Sequence, residues 1–495
     1  MQGSGGSLRN PQRSQREFAF VPRIINPIKI KEVILFAADD SIRKSQIVVQ
    51  SEMPWVKLQV LHDPRAVSEF RSDSATAFIL DDVALNLIDV EKVRRNNHEA
   101  VIVLLSFVRL IQCSPPAIAQ GEFPYTAKAD LVFAVNRTDF HPDRIITSVV
   151  RSAEDYLNIE RSSGVKRFIL LIVDDEPSWP SQFLPILYQI IGQRAGVKIT
   201  RTYEETLKFM FAAENENEIK ENCRDFGHGD QVVCLITDVL FPKGGNITSE
   251  AGRDLIRLVK KCYVRIPIII ASKAKEATEL RDAGFVLPKG DPGSLETLKS
   301  YIRDLTGIGD FVIHDEKGRE LHRLKDIRQM YALLQHADSD DPEAERLRLL
   351  LDAYGEKDMF STWFYMHSHN ELGDRLRPQR LRGKKMVSVL KSSLRREILR
   401  MNFTPLIVDG VKVYNLQDLL NALKATTPEK IEYLSHDDII SSWLDRAGYS
   451  ELAEELRPIH GEGPELKETL TNVVGEWVAI YRKRIGGGDT PFKLF

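Results

Sequence analysis

At 495 residues the chain has room for about three domains, and its 43% hydrophobic content is ordinary for globular cores. A formal net charge of −3 gives no global field that would point to nucleic acid. The four cysteines, Cys113, Cys223, Cys234 and Cys262, lack metal-ligand spacing, and no apolar run reaches membrane-spanning length or forms a signal-peptide core, so a reduced cytoplasmic setting is expected.

Residues 1–29 read as a disordered or extended lead-in, Gly- and Ser-rich at first and then broken by prolines. An α/β rhythm starts at residue 30 and runs to 160. Glu32-Val-Ile-Leu-Phe-Ala-Ala ends in Asp39-Asp40, Ala77-Phe-Ile-Leu ends in Asp81-Asp82, Ala100-Val-Ile-Val-Leu-Leu ends in Ser106, and Leu131-Val-Phe-Ala-Val135 is the last strand candidate. Short apolar runs between turn signals are the mark of buried parallel strands. Pro142 opens a helix through about Ile159, with Ile145, Ile146, Val149 and Val150 on one face.

The rhythm repeats over 166–305. Phe168-Ile-Leu-Leu-Ile-Val ends in Asp174-Asp175-Glu176, Val232-Val-Cys-Leu-Ile-Thr in Asp238, Ile266-Pro-Ile-Ile-Ile-Ala in Ser272, and Gly284-Phe-Val-Leu-Pro in Lys289. Helical patterns over Ser181–Arg194, Tyr203–Ala213 and Ser249–Cys262 separate them, and Ser294 opens a last helix through Leu305. The alternation predicts two doubly wound parallel sheets in tandem. Ligands bind outside the C-terminal ends of such strands, so one edge of the second domain gathers three carboxylates, a hydroxyl and an amine. Asp174, Asp175 and Asp238 supply hard oxygen ligands suited to Mg²⁺. A carboxylate there can attack phosphorus, with Lys289 neutralising the transferred oxygens and Ser272 donating to one of them.

These motifs, Leu171-Ile-Val-Asp-Asp-Glu176, Thr237-Asp-Val-Leu-Phe-Pro242, Ala271-Ser272 and Pro288-Lys289, resemble the receiver domain of bacterial two-component response regulators. The resemblance implies Asp238 as phosphoacceptor, Asp174 and Asp175 as the Mg²⁺ site, Ser272 as the switch hydroxyl and Lys289 as the phosphate-binding amine. It also implies a histidine kinase or phosphotransfer protein as partner, and self-catalysed phosphorylation rather than a conventional enzyme. Two departures stand out: Gly290 follows Lys289 where the family has Pro, and the link Glu214–Gln231 is long. The 30–160 domain resembles the same fold with Val135 at the lysine position, which makes it a pseudo-receiver used for docking or dimerisation.

Past a hinge at Gly307 and Gly309, the remainder is expected to be mainly helical and to repeat. Residues 360–378 align without gaps on 440–458, identical at seven of nineteen positions, including Trp363 with Trp443 and Pro378 with Pro458. Upstream, Gly318, Leu324, Asp326 and Ile327 parallel Gly410, Leu416, Asp418 and Leu419. Asp358 and Asp438 are expected to cap the Trp helices, and Asn370 and Ser450 the next ones. The repeat copies are placed at 310–378 and 406–485, with a basic connector helix at 379–405 and a tail at 486–495. That connector carries Val387, Leu390, Leu394 and Ile398 as a stripe and Lys384, Lys391 and Arg395 opposite, read as a solvated face rather than a nucleic-acid site. His367, His369 and His436 are read as structural, because the aligned copy replaces each of them. The expected function is phosphorylation-switched docking or assembly through the repeat module, to an output partner or another copy of the chain. A silent scaffold is the alternative, with DNA binding the weaker third reading.

Overall fold

The computed structural model describes residues 27–47, 53–107, 128–161, 165–219, 227–273, 283–315, 318–377, 381–401 and 404–486, with the single residues 22 and 280. Cys113, Cys223, Pro378, most of the N-terminal lead-in, the tail and part of the Glu214–Gln231 link lie outside them.

Each α/β domain holds a five-stranded parallel sheet. The first runs β1 Glu32–Phe36, β2 Lys57–Val60, β3 Thr76–Leu80, β4 Ala100–Phe107 and β5 Leu131–Val135, in spatial order β2-β1-β3-β4-β5. The second contains β6 Phe168–Val173, β7 Ala195–Thr200, β8 Val232–Thr237, β11 Ile268–Ser272 and β12 Phe285–Pro288, in the matching order β12-β11-β8-β6-β7. A small hairpin, β9 Phe241–Lys243 with β10 Asn246–Thr248, stands between β8 and the next helix. Both sheets have the flavodoxin-like doubly wound order, with the crevice at the ends of the first and third strands. Central strands are buried on both faces, so they read as unbroken apolar runs, as in Phe168-Ile-Leu-Leu-Ile-Val. Helices cover them with amphipathic faces: Ser249–Cys262 turns Ala251, Leu255, Ile256 and Val259 inward, at helical spacing.

The two sheets share one core. Helix Pro142–Tyr156 of the first domain packs on helix Ser178–Ile191 of the second, and a single apolar cluster runs from Ile30 through Val149 and Leu187 to Ile302. Asp155 lies at this seam, fully buried, and accepts hydrogen bonds from Arg167 Nη1 at 2.8 Å, Tyr188 Oη at 2.9 Å and the Val197 amide at 2.8 Å. Three donors and an ion pair offset the cost of burying that carboxylate.

The rest of the chain is mainly helical and repeats, but each copy begins with a β-hairpin that the sequence pattern does not reveal. Copy one has β13 Phe311–His314 and β14 Glu320–Leu324; copy two has β15 Leu406–Val408 and β16 Val411–Val413. Phe311 pairs with Leu324 as Leu406 pairs with Val413, and the caps Asp326 and Asn415 then open helices Ile327–Ala337 and Leu416–Ala425. The upstream correspondence is therefore Ile327 with Leu416, three residues away from the Leu324–Leu416 match expected from sequence. Helix Gly383–Met401 closes copy one as Gly463–Gly486 closes copy two. It is no free connector: Val387, Leu390 and Leu394 lie in the first copy's core. Three of its cations pair with acids, Lys384 with Asp340, Lys391 with Asp338 and Arg400 with Glu371 at 3.0 Å.

The expected caps also differ. Asp358 and Asp438 precede their helices at φ 54° and 55°, without a side-chain cap bond. Both carboxylates are buried and pair instead with the repeated arginines, Asp358 with Arg377 at 2.8 Å and Asp438 with Arg457 at 3.8 Å. Asn370 and Ser450 are the first helical residues rather than caps. The Gly307–Gly309 hinge is sealed: a Cβ on Gly307 would sit 3.1 Å from the Trp363 Cα, and Gly309 O accepts from Trp363 Nε1 at 2.9 Å.

Candidate functional site at the ends of the second sheet

Four strands deliver the site. Val173 is paired with Thr237, so Asp174 and Asp238 follow side by side; Ser272 ends β11, and its partner Pro288 is followed by Lys289. Asp174 is fixed by its own amide, which donates to Thr200 O at 3.0 Å, and Asp238 by its amide on Val173 O at 2.9 Å. Close packing sets the height of Asp238: a Cβ on Gly252 would lie 2.7 Å from the Val239 Cα and 2.9 Å from Asp238 O. Only glycine lets that helix approach so near.

The side chains of Asp174, Asp238, Ser272 and Lys289 meet at this edge. Lys289 Nζ donates to Asp174 Oδ2 at 2.5 Å and also to Asp238 Oδ2, and its side chain is 1% exposed. Ser272 Oγ donates to Asp238 Oδ1 at 2.6 Å. The Val239 amide donates to the same oxygen at 2.5 Å. Burial pushes the Asp174 carboxyl up to about 7, with the Asp238 charge adding to it and Lys289 opposing. Burial pushes Asp175 up to about 6, again with Asp238 raising it. Burial works against the Lys289 ammonium, but Asp174 and Asp238 outweigh it and hold its pKa above the ordinary value. The site is thus a crowd of acids sharing one buried cation.

Such hard oxygen donors, raised by desolvation and by one another's charge, suit a hard divalent cation in their chemistry. Their present spacing is that of a lysine-bridged pair, and among the described residues no group of three His, Cys, Asp or Glu is arranged to hold a metal ion. Two residues near the cluster were not picked out as site members by sequence. Glu176 accepts from Trp179 Nε1 at 2.8 Å, and Lys273 Nζ stands 4.5 Å from the centre of that indole. The signal available was only proximity in sequence to Asp175 and Ser272.

Strand register locates the same positions in the first domain. Phe36 pairs with Leu80 as Val173 pairs with Thr237, so Ala37 and Ala38 stand where Asp174 and Asp175 do, and Asp81 where Asp238 does. Ser106 pairs with Ala134 as Ser272 pairs with Pro288, which puts Val135 at the place of Lys289. The Asp39-Asp40 pair is therefore two residues beyond the acid positions. Asp39 caps a helix through the Ser41 amide at 2.8 Å and pairs with Arg137 at 2.6 Å. Arg137, two residues past Val135, reaches this edge and lies over the Phe107 ring at 4.4 Å. Asp81 is used up structurally, accepting from the Ala84 and Asp39 amides at 2.8 Å each. Ser106 Oγ donates to Asp82 rather than to Asp81.

Of the three histidines singled out in the repeat, His367 and His369 are buried and tied. His367 bridges Asp445 Oδ1 at 3.0 Å and Gly309 O at 2.9 Å, and His369 faces Glu397 at 3.3 Å. His436 packs edge-on against Trp55 with ring centres 4.5 Å apart. Among the described residues no helix is long and apolar enough to cross a membrane.

No family model matches the chain, and no curated protein does. Among solved structures, a crystal structure of a protein named as a two-component system response regulator/ggdef domain protein is similar to it. That likeness has a TM-score of 0.25 and 14% identity, and covers 55% of this chain and 97% of that one. The tandem flavodoxin-like fold rests on the strand order and register given above.

Proposed function

We propose that the chain is a response-regulator-type signalling protein, in which Asp238 takes a phosphoryl group from a partner's phosphohistidine and the repeat module reads the change. The observation that carries this reading is the convergence of Asp174, Asp238, Ser272 and Lys289 from four strand ends, where the sister domain has alanine, capping aspartate, serine and valine. An Asp238 oxygen attacks phosphorus, the N–P bond breaks, and the imidazole nitrogen keeps the bonding pair. Lys289 shifts from bridging two carboxylates to neutralising phosphoryl oxygens, and Ser272 keeps its proton while donating to one of them. Asp174, Asp175 and Asp238 are the residues that would hold Mg²⁺, which supplies further positive charge for those oxygens.

The route to the repeat is short. Arg194, just past helix Ser178–Ile191, donates to Ile308 O at 3.1 Å and pairs with Glu454 of copy two at 3.2 Å. The helix Ser294–Leu305 leads into the same junction. Phosphorylation shifts an equilibrium only by its differential interaction with two states, so the repeat must pack or assemble differently when Asp238 is modified. The test is hydrogen exchange across 294–330 together with mass in solution. Both are expected to respond to phosphorylation in the wild type and not in Asp238→Ala. A phosphorylated wild type that exchanges like the unmodified protein throughout 294–495 and keeps its mass overturns the switch and leaves the scaffold reading.

A further inference from the structure

Trp179 and Lys273 stand beside the receiver site without belonging to its acid–hydroxyl–amine cluster. The indole is only 8% exposed and its plane is pinned, because Nε1 donates to Glu176 Oε2 at 2.8 Å while Glu176 Oε1 accepts from Ser178 Oγ at 2.8 Å. Two ammonium groups share this one ring: Lys289 Nζ lies 5.5 Å from its centre and Lys273 Nζ 4.5 Å. Lys289 is buried and bonded to two carboxylates, so its charge is already engaged. Lys273 is exposed, and the residue before it, Ser272, donates to Asp238 Oδ1 at 2.6 Å.

We infer that Lys273 is a donor-binding residue of this site, a cation parked on the Trp179 face that engages the oxygens of an incoming N-phosphoryl donor and then those of the phosphoryl group on Asp238. This inference rests on the reading of Asp238 as phosphoacceptor. A phosphoryl group adds about −1.5 to −2 charges where Asp174, Asp175 and Glu176 already stand with Asp238. An exposed cation on an aromatic face is held only weakly. A charge-assisted bond to a phosphate oxygen is stronger, so the exchange from ring to phosphoryl runs downhill. The indole keeps the long lysine chain poised at the mouth, which lowers the entropy lost when it binds. The donor class is a small N–P compound such as phosphoramidate, whose bond resembles that of phosphohistidine. In the transfer an Asp238 oxygen forms a bond to phosphorus, the P–N bond breaks, and the already protonated nitrogen leaves with the bonding pair as ammonia.

The test measures the rate at which Asp238 in the full chain is labelled by phosphoramidate, with magnesium chloride present, at low and high ionic strength. Wild type, Lys273→Ala and Lys273→Arg are compared. Loss of the cation is expected to slow labelling about fivefold at low salt, through weaker donor binding rather than a lower rate at saturation. The wild-type rate should fall as salt rises, the Lys273→Ala rate should barely change, and Lys273→Arg should retain most of the effect. A Lys273→Ala protein labelled as fast as wild type at every salt concentration overturns this inference while leaving the phosphoacceptor reading intact. Absence of any label on wild-type Asp238 overturns both.

Discussion

The two α/β domains share a strand order and a register but not a chemistry. In the second, the edge above the sheet concentrates charge: Asp174 and Asp238 face one buried ammonium, and Ser272 completes the ring of partners. In the first, the matching positions are Ala37, Asp81 turned into a helix cap, Ser106 bonded to Asp82, and Val135 as core. The domains differ below their sheets as well. The second is wired to both repeat copies by Arg194, His367, Asp445 and Glu454, whereas the first touches copy two through Trp55 against His436. A parallel sheet is held by its apolar strands, so the edge residues can be exchanged freely.

Removing the cation should break the contrast most severely. Lys289→Met leaves the buried Asp174 facing Asp238 without their shared cation, and should cost about 3–5 kcal/mol of stability at neutral pH by denaturant unfolding. Val135→Met at the matching position changes only core volume and should cost less than about 1.5 kcal/mol. Similar losses from the two changes would mean that the edges are not chemically distinct.

The junction sharpens the comparison at a middle scale. Burial disfavours the His367 imidazolium, but Asp445 at 3.0 Å outweighs it and holds the ring above its usual pKa, against the opposing charge of Arg194. A raised pKa means that the stabilisation is complete below the unfolded value near 6.5 and is lost as pH rises through the folded value. His367→Gln should therefore lose about 1.5–3 kcal/mol at pH 6, and should lack the decline that wild type shows above neutrality. Parallel stability–pH curves for the two proteins would remove His367 from the junction.

The smallest expected effect belongs to the first domain. Asp81→Ala deletes a cap bond to the Ala84 amide and should cost about 1 kcal/mol, with no change in phosphodonor labelling of Asp238. A loss of labelling in that variant would show that the first domain takes part in the chemistry.

What was legible in the sequence follows from what is local. Strand ends, the helix Ser249–Cys262 and the valine at position 135 could be read because apolar runs and turn residues are short-range signals. Asp39-Asp40 lie two residues beyond the acid positions because Ala37 and Ala38 continue the apolar run past the hydrogen-bonded strand, and only pairing with β3 shows where it ends. The hairpins of the repeat were missed because strands as short as Leu406–Val408 have too few residues to show a period. Asp358 was given a capping role on spacing alone, whereas its ion pair with Arg377 joins residues a helix apart that meet only in the folded repeat. Trp179 carried no distinguishing pattern, since its meaning lies in Lys273 and Lys289, which arrive from other strands.

The central claim is that the second domain is a phosphoacceptor and the first is not. Incubating the full chain with phosphoramidate and magnesium chloride, then mapping modified peptides by mass, tests it most directly. The account predicts label on Asp238, none on Asp81 or Asp82, and none at all in Asp238→Ala. Label on Asp81 or Asp82 to the same extent as on Asp238, or a wild type that takes no label at Asp238, would contradict it.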